Sequence, residues 1–148
     1  MRVIIILFLS AFVFSLGLLD SLKHKKYNAS LKEILDFISL YNNEIRFRQS
    51  DYYELVSLCE AQGYKYITVS EDLITLTENQ SPSFEGEFKD FINKIGTTDV
   101  DGQLILCREY SEIFDTLLKE GKEKEKTKLK VNFALSTLGA LSIIVIFL

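Results

Sequence analysis

Apolar residues crowd the two ends of this chain and recur at helical intervals between them. Residues 3–19 read VIIILFLSAFVFSLGLL, seventeen positions without a charge, and residues 131–148 read VNFALSTLGALSIIVIFL, eighteen more. At 1.5 Å per residue these make helices of about 26 and about 27 Å, close to the roughly 30 Å of bilayer hydrocarbon. The pattern predicts transmembrane helices over 3–22 and 131–148. A cleaved secretory signal also opens with a basic residue, here Arg2, and an apolar run. The flank that follows, Leu18, Leu19, Asp20 and then Lys23, His24, Lys25 and Lys26, offers no small-x-small site and reads as that of an anchor. A buried core helix is the rival for the second segment, but a small domain has little interior for eighteen residues apolar on every face.

Between these ends the periodicity is that of an all-α domain over 30–118. Ser30 and Glu33 have capping-box spacing, and Leu31, Ile34, Leu35, Ile38, Leu40 or Tyr41, Ile45 and Phe47 follow as a stripe, which predicts a first soluble helix over 30–47. Ser50 or Asp51, with Glu54, starts a second, short helix carrying Tyr52, Leu55, Val56 and Cys59, and Gly63 ends it. Residues 64–80 are ambiguous. Tyr66, Ile67, Thr68 and Val69 are strand-like, while Ser70, Glu71 and Asp72 resemble a helix start, and a short helix is expected over 71–78. Pro82 suits a first helical turn, after which Phe84, Phe88, Phe91, Ile92 and Ile95 recur until Gly96. The last helix takes Thr98 or Asp99 as its cap, with Val100, Leu104, Cys107, Tyr110 or Ser111, Phe114 and Leu117 or Leu118 on its stripe. Gly121 costs about 1 kcal/mol relative to alanine without forbidding helix, so this helix is expected to continue through a lysine-rich stalk, 119–130, into the second span.

Charge sharpens this layout. Lys23, Lys25 and Lys26 follow the first apolar segment, and Lys119, Lys122, Lys124, Lys126, Lys128 and Lys130 precede the second, whereas only Arg2 lies on the far sides. Positive charge beside a span favours the cytoplasmic face, so the middle domain is expected inside the cell. The chain as a whole carries −4 at neutral pH, but residues 30–118 hold seventeen acidic side chains against seven basic ones. An acidic body thus stands on basic roots. Lys23, Lys25, Lys26, Lys126, Lys128 and Lys130 suit an anionic leaflet, at about 1 kcal/mol each. The acidic body suits either plain solvent or a basic protein partner. Cys59 and Cys107, each on an apolar stripe, read as separate core thiols in a reducing compartment.

Catalytic signatures are missing from the sequence. The single histidine, His24, sits among lysines, and no Gly-rich phosphate loop, His-Glu-x-x-His or Cys-x-x-Cys occurs. Acidic pairs such as Glu71 with Asp72 and Glu85 with Glu87 are ordinary on helix surfaces. The expectation is no enzyme, no cofactor, no metal, no nucleic acid and no small-molecule substrate.

The order of the pieces is itself informative. An N-terminal apolar segment precedes Leu31-Lys32-Glu33-Ile34 and Glu44-Ile45-Arg46-Phe47. Then come Ser50-x-x-x-Glu54, Phe91-Ile92-x-x-Ile95-Gly96-x-Thr98-Asp99-x-x-x-Gln103, and a lysine-rich helix leading to Leu138-Gly139-Ala140-Leu141. Together these resemble the stage III sporulation protein AB family along nearly the whole chain, as pattern rather than long identity. The sequence departs from that family in lacking prolines at Asp51 and Tyr53 and a glycine near Ile92, and in its short 64–80 region.

The resemblance implies a role in endospore formation, in the mother-cell membrane facing the forespore. It implies membership of a multiprotein, secretion-like channel complex, with a helical domain similar to those of the inner-membrane platform protein of type II secretion. The protein would be an adaptor, its cytoplasmic domain meeting a secretion-type ATPase and its spans meeting other membrane components. Within that scheme Glu44, Glu54, Asp99 and Gln103 are candidate partner-binding residues. Each has a structural alternative: Glu54 and Asp99 as helix-start residues, Glu44 and Gln103 as a pair on neighbouring faces. The rival from another class is a small membrane regulator, holin-like or toxin-like, acting on the bilayer itself, against which the spans' lack of a charged or polar pore-lining face weighs.

Overall fold

The computed structural model describes the backbone of residues 2–47, 52–70, 73–77 and 83–147 and, within them, the side chains of 25–47, 54–69, 73–77 and 83–139. In chain order the described elements are α1 (Arg2–Phe47), α2 (Tyr52–Gln62), β1 (Ile67–Ser70), β2 (Leu73–Leu76), α3 (Glu85–Lys94) and α4 (Val100–Phe147). The fold is mostly helical, with one small hairpin. The chain divides into two units, one of Tyr27–Lys119 and one of Met1–Lys26 with Glu120–Leu148.

In the unit Tyr27–Lys119 every described element gives one face to a shared core. Helix α1 contributes Leu31, Ile34, Phe37, Ile38, Tyr41 and Ile45, spaced by three and four as an amphipathic helix requires. Helix α2 adds Leu55, Val56 and Cys59, α3 adds Phe88, Phe91 and Ile92 behind Phe84, and α4 adds Cys107, Tyr110, Phe114 and Leu118. The aromatic rings are the framework of this core. Phe37 meets Tyr64, Phe88 and Phe91 edge to face, with centroids 6.5, 6.1 and 6.2 Å apart, and Phe91 lies 5.1 Å from Tyr110. Such pairs add about 0.5–1.5 kcal/mol each beyond the area they bury. Phe37 therefore links α1 to α3 and to the segment that follows α2, although it fell outside the expected stripe. Phe47, placed on that stripe, is exposed.

The first soluble helix does not begin at Ser30. Nothing between Lys23 and Ala29 stops a helix, since the segment holds neither glycine nor proline, and α1 runs through it unbroken. Ser30 is buried inside α1 and its hydroxyl donates to the Tyr27 carbonyl at 2.9 Å. Glu33, freed from capping, does other work: its Oε1 accepts the backbone N–H groups of Tyr66 (2.5 Å) and Ile67 (3.0 Å) and so holds the start of β1 against α1.

The expected helix over 71–78 is also overturned where it is described, because residues 73–76 form β2, antiparallel to β1. The register sets Ile67 opposite Leu76 and Val69 opposite Ile74. Since strand side chains alternate, these four share one face, and Ile67 and Ile74 on it are buried. Thr68 and Thr75 take the other face, where Thr68 Oγ1 shares a hydrogen bond of 2.9 Å with Thr77 Oγ1. The β-branched run decided the outcome over the acidic pair Glu71 and Asp72, which lies outside the described residues, as do Ser50, Asp51 and Pro82. Gly63 ends α2 at φ +64° and Gly96 follows α3 at φ +74°, conformations a β-carbon disfavours.

In the second unit the described residues are helical: the first 25 residues of α1, and α4 from Glu120 through Gly121 to Phe147. Glu120 pairs with Lys124 at 3.9 Å along the stalk. Leu129, Val131, Phe133, Leu135 and Leu138 are all exposed, Phe133 at 74%. Among the described residues no helix is long and apolar enough to cross a membrane. The side chains of 3–22 lie wholly outside the described residues, and those of 131–148 do so from Ala140 onward.

Two glycines in helices make opposite predictions. A β-carbon on Gly86 meets nothing within 4 Å, so Gly86→Ala should stabilise the protein by about 0.5 kcal/mol. A β-carbon on Gly102 would lie 2.7 Å from Thr98 Oγ1 and 2.9 Å from Asp99 Oδ1. Gly102→Ala should therefore cost about 1–3 kcal/mol despite alanine's better helix propensity. Thermal melts of the two variants, moving in opposite directions, are the measurement.

Candidate interaction surface

Helix α4 opens on a side-chain cap. Asp99 Oδ1 accepts the Gly102 N–H at 3.0 Å, and the Asp99 carbonyl accepts the Gln103 N–H at 2.9 Å. This satisfies part of the unpaired N-terminal turn. Asp99 remains exposed at the rim of the unit. The close approach of Thr98 and Asp99 to Gly102 is the geometric consequence of folding this cap over the helix start.

Gln103 belongs to the interior. It is 4% exposed, and both ends of its amide are engaged: Tyr41 Oη donates to Oε1 at 2.8 Å, while Nε2 donates to the Lys94 carbonyl at 3.2 Å and to Thr98 Oγ1 at 2.8 Å. The Lys94 carbonyl can only accept, which fixes which end of the amide is nitrogen. One side chain thus ties α1, the α3–α4 connection and α4 together. It takes the stripe position expected of Val100, which is 43% exposed.

Beside this network Asp90, Lys94 and Tyr110 join α3 to α4. Lys94 Nζ donates to Asp90 Oδ2 at 2.7 Å and to Tyr110 Oη at 3.0 Å, and Tyr110 Oη donates to Asp90 Oδ2. The hydrogen bond from Lys94 holds the Asp90 carboxyl below its ordinary range, and the same bond raises the Lys94 ammonium. Asp90 and Lys94 are about half exposed, so this clasp adds little net stability and mainly fixes geometry.

The other sequence candidates are spread across the unit. Glu54 is exposed on the first turn of α2, where an acidic residue suits the helix dipole, and its carbonyl accepts the Ser57 hydroxyl at 2.8 Å. Glu44 is half-buried near the end of α1. The structure brings Asp99 and Gln103 together at the start of α4, while Glu54 stands on the first turn of α2. Lys25, Lys26, Lys126, Lys128 and Lys130 are exposed, and the Lys23 side chain lies outside the described residues.

A more coherent surface lies on the outer face of α4. Opposite the buried stripe of Gln103, Cys107, Tyr110, Phe114 and Leu118 stand Asp101, Ile105, Arg108, Glu109 and Glu112, all exposed. Ile105 is 56% and Ile113 41% exposed. The signal for this face was present in the spacing, but attention to the apolar stripe alone passes over Ile105 lying opposite it and Ile113 on its flank. Among the described residues no cluster of histidine, cysteine and carboxylate side chains could hold a metal ion.

Four weak acids, Cys59, Cys107 and Tyr41 buried and Tyr64 half-buried, are held in their neutral forms. Burial pushes the Cys59 thiol from 9.0 up to about 12 and the Cys107 thiol from 9.0 up to about 11. Burial likewise raises the Tyr41 and Tyr64 phenols from 10.0 to about 12, reinforced by Cys107 beside Tyr41 and Cys59 beside Tyr64. Both cysteines are free thiols. Folded protein keeps protons that unfolded chain releases from about pH 9 upward, so stability present below that pH is lost as the pH rises toward 11–12. Helical circular dichroism should collapse across this alkaline window together with the rise of tyrosinate absorbance. Full ionisation of Tyr41 and Tyr64 near pH 10 with the fold intact would contradict their burial.

No family model, no curated protein and no solved structure matches the chain.

Proposed function

We propose that this protein is a membrane-held adaptor, two helical spans carrying an acidic helical domain that docks on a basic protein partner inside the cell. The observation that carries the membrane part is the exposure of Leu129, Val131, Phe133, Leu135 and Leu138 on α4. At about 100° per residue these positions fall on two opposing sides of the helix, and apolar side chains exposed on both sides need lipid or a large interior to cover them. The Thr137 hydroxyl donates to the Phe133 carbonyl at 2.8 Å, satisfying itself within the helix as a hydrocarbon environment demands. The exposed Lys126, Lys128 and Lys130 at the start of this stretch suit an anionic leaflet.

The docking part rests on the acidic excess of residues 30–118 and the exposed carboxylates of α2, α3 and α4. Following the sequence resemblance, the proposed setting is an endospore-formation channel complex in the mother-cell membrane, and the proposed partner is its secretion-type ATPase. Glu44, Glu54 and Asp99 remain candidates for that contact. Gln103 contributes as a positioning residue, since its amide is occupied inside the fold. The unbroken helix of α4 through Gly121 suits a stalk that passes displacement along its own length.

Two measurements separate the parts of this proposal. Alkaline carbonate washing of membranes should leave the protein in the pellet, and its release into the supernatant would overturn the two-span reading. Reversal of exposed carboxylates across the body, Glu54, Glu60, Glu85, Glu87, Asp101, Glu109 and Glu112 to lysine, should abolish co-purification of the ATPase, whereas unchanged recovery would overturn the docking reading.

A further inference from the structure

The acidic body is not uniform, and one strip of it carries apolar anchors as well as charge. Ile105 stands opposite the buried face of α4 and is more than half exposed, and Ile113 lies eight residues on, about 12 Å along the helix axis and about 80° around it, on the flank of the same strip. Around them Asp101, Glu109 and Glu112 are exposed, with Arg108 the one basic residue of the strip. Scattered exposed aliphatics are common, but two such side chains framed by carboxylates along one helix have the composition of an interface: apolar contacts at the centre and a charged rim.

Resting on the docking reading above, we infer that the outer face of α4 formed by Asp101, Ile105, Glu109, Glu112 and Ile113 is the docking surface for a lysine- or arginine-rich amphipathic helix of a partner protein. Charge complementarity selects this occupant. The strip presents three carboxylates against one guanidinium, so a second copy of the same face would set like charges against one another, whereas a basic helix meets them with opposite charge. The isoleucines lie just over two turns apart, one central and one on the flank, so a partner helix crossing the strip obliquely can seat aliphatic residues beside both anchors. Charge guides encounter and orientation here, while burial of Ile105 and Ile113 gives the contact resistance to salt that a purely electrostatic one lacks. The face is also well supported. Its opposite side is pinned by the Gln103 amide and the Phe91–Tyr110 ring contact, so the strip is presented rigidly.

The test is site-specific photo-crosslinking with the full-length chain in its native membrane. A benzophenone side chain is placed in turn at Ile105, at Ile113 and, as a control on α3, at Glu85, and the adducts are sequenced by mass spectrometry. The expected result is a protein adduct from positions 105 and 113 that maps to a basic amphipathic helix and falls at least about tenfold with Glu109→Lys and Glu112→Lys together. Adducts with a second copy of this chain would overturn the proposal, as would adducts from position 85 but not from 105 or 113, or adduct yield unchanged by the charge reversal. Absence of adducts at 105 and 113 while ATPase co-purification survives Asp101→Lys, Glu109→Lys and Glu112→Lys, yet is lost with Glu85→Lys and Glu87→Lys, would sink this surface and leave the docking reading standing. Insensitivity to both sets would sink the docking reading itself. Circular dichroism of each variant keeps loss of fold apart from loss of contact.

Discussion

A buried amide governs how this domain is assembled. Placed in an apolar interior, Gln103 would cost about 1–3 kcal/mol for each polar group left without a partner. Its requirements are met only when three separate pieces of chain arrive together: the Tyr41 hydroxyl from α1, the Lys94 carbonyl from the end of α3 and the Thr98 hydroxyl before α4. Apolar packing alone tolerates sliding of one helix over another, because Phe and Ile contacts are not directional. Hydrogen bonds to one amide are directional, so they select a single register from the many that the aromatic core would permit. Gly96 and Gly102 belong to the same arrangement, one turning the chain out of α3 and the other leaving room for the cap that brings Thr98 to the amide.

Much of this was readable from residue spacing, and the errors share one origin. The stripes of Leu31, Ile34, Ile38, Tyr41 and Ile45, of Phe84, Phe88, Phe91 and Ile92, and of Cys107, Tyr110, Phe114 and Leu118 are set by helical period and are buried as that period requires. What period cannot convey is which polar residue has a distant partner. Glu33 has the local spacing of a cap but binds backbone more than thirty residues away, and Gln103 is polar by composition yet buried by tertiary contact. The hairpin was missed for a related reason, since a four-residue strand is too short to outvote an adjacent acidic pair until its register with Ile67 and Val69 is known. For the candidate surface, Asp99 was legible as a cap, whereas Ile105 stood out only once the buried side of α4 was fixed.

Two kinds of charge organisation coexist along α4 and act differently. On the stalk and just before it, Asp115 with Lys119 and Glu120 with Lys124 are spaced at i, i+4 with the acid first, the order that best suits the helix dipole. Each pair is worth only about 0.3–0.5 kcal/mol, a small local support to the helix. On the outer face of the preceding segment the carboxylates instead outnumber their opposites, which leaves charge directed outward. One helix therefore combines a self-satisfied section with an unsatisfied one.

Glu33 carries a consequence for how the chain can change over time. It grips β1 through the backbone N–H groups of Tyr66 and Ile67, and backbone donors are the same whatever side chains they bear. The attachment of the hairpin to α1 is thus largely indifferent to the identity of the residues attached. Provided one face of the strands stays apolar, their outward side chains can change without disturbing this attachment.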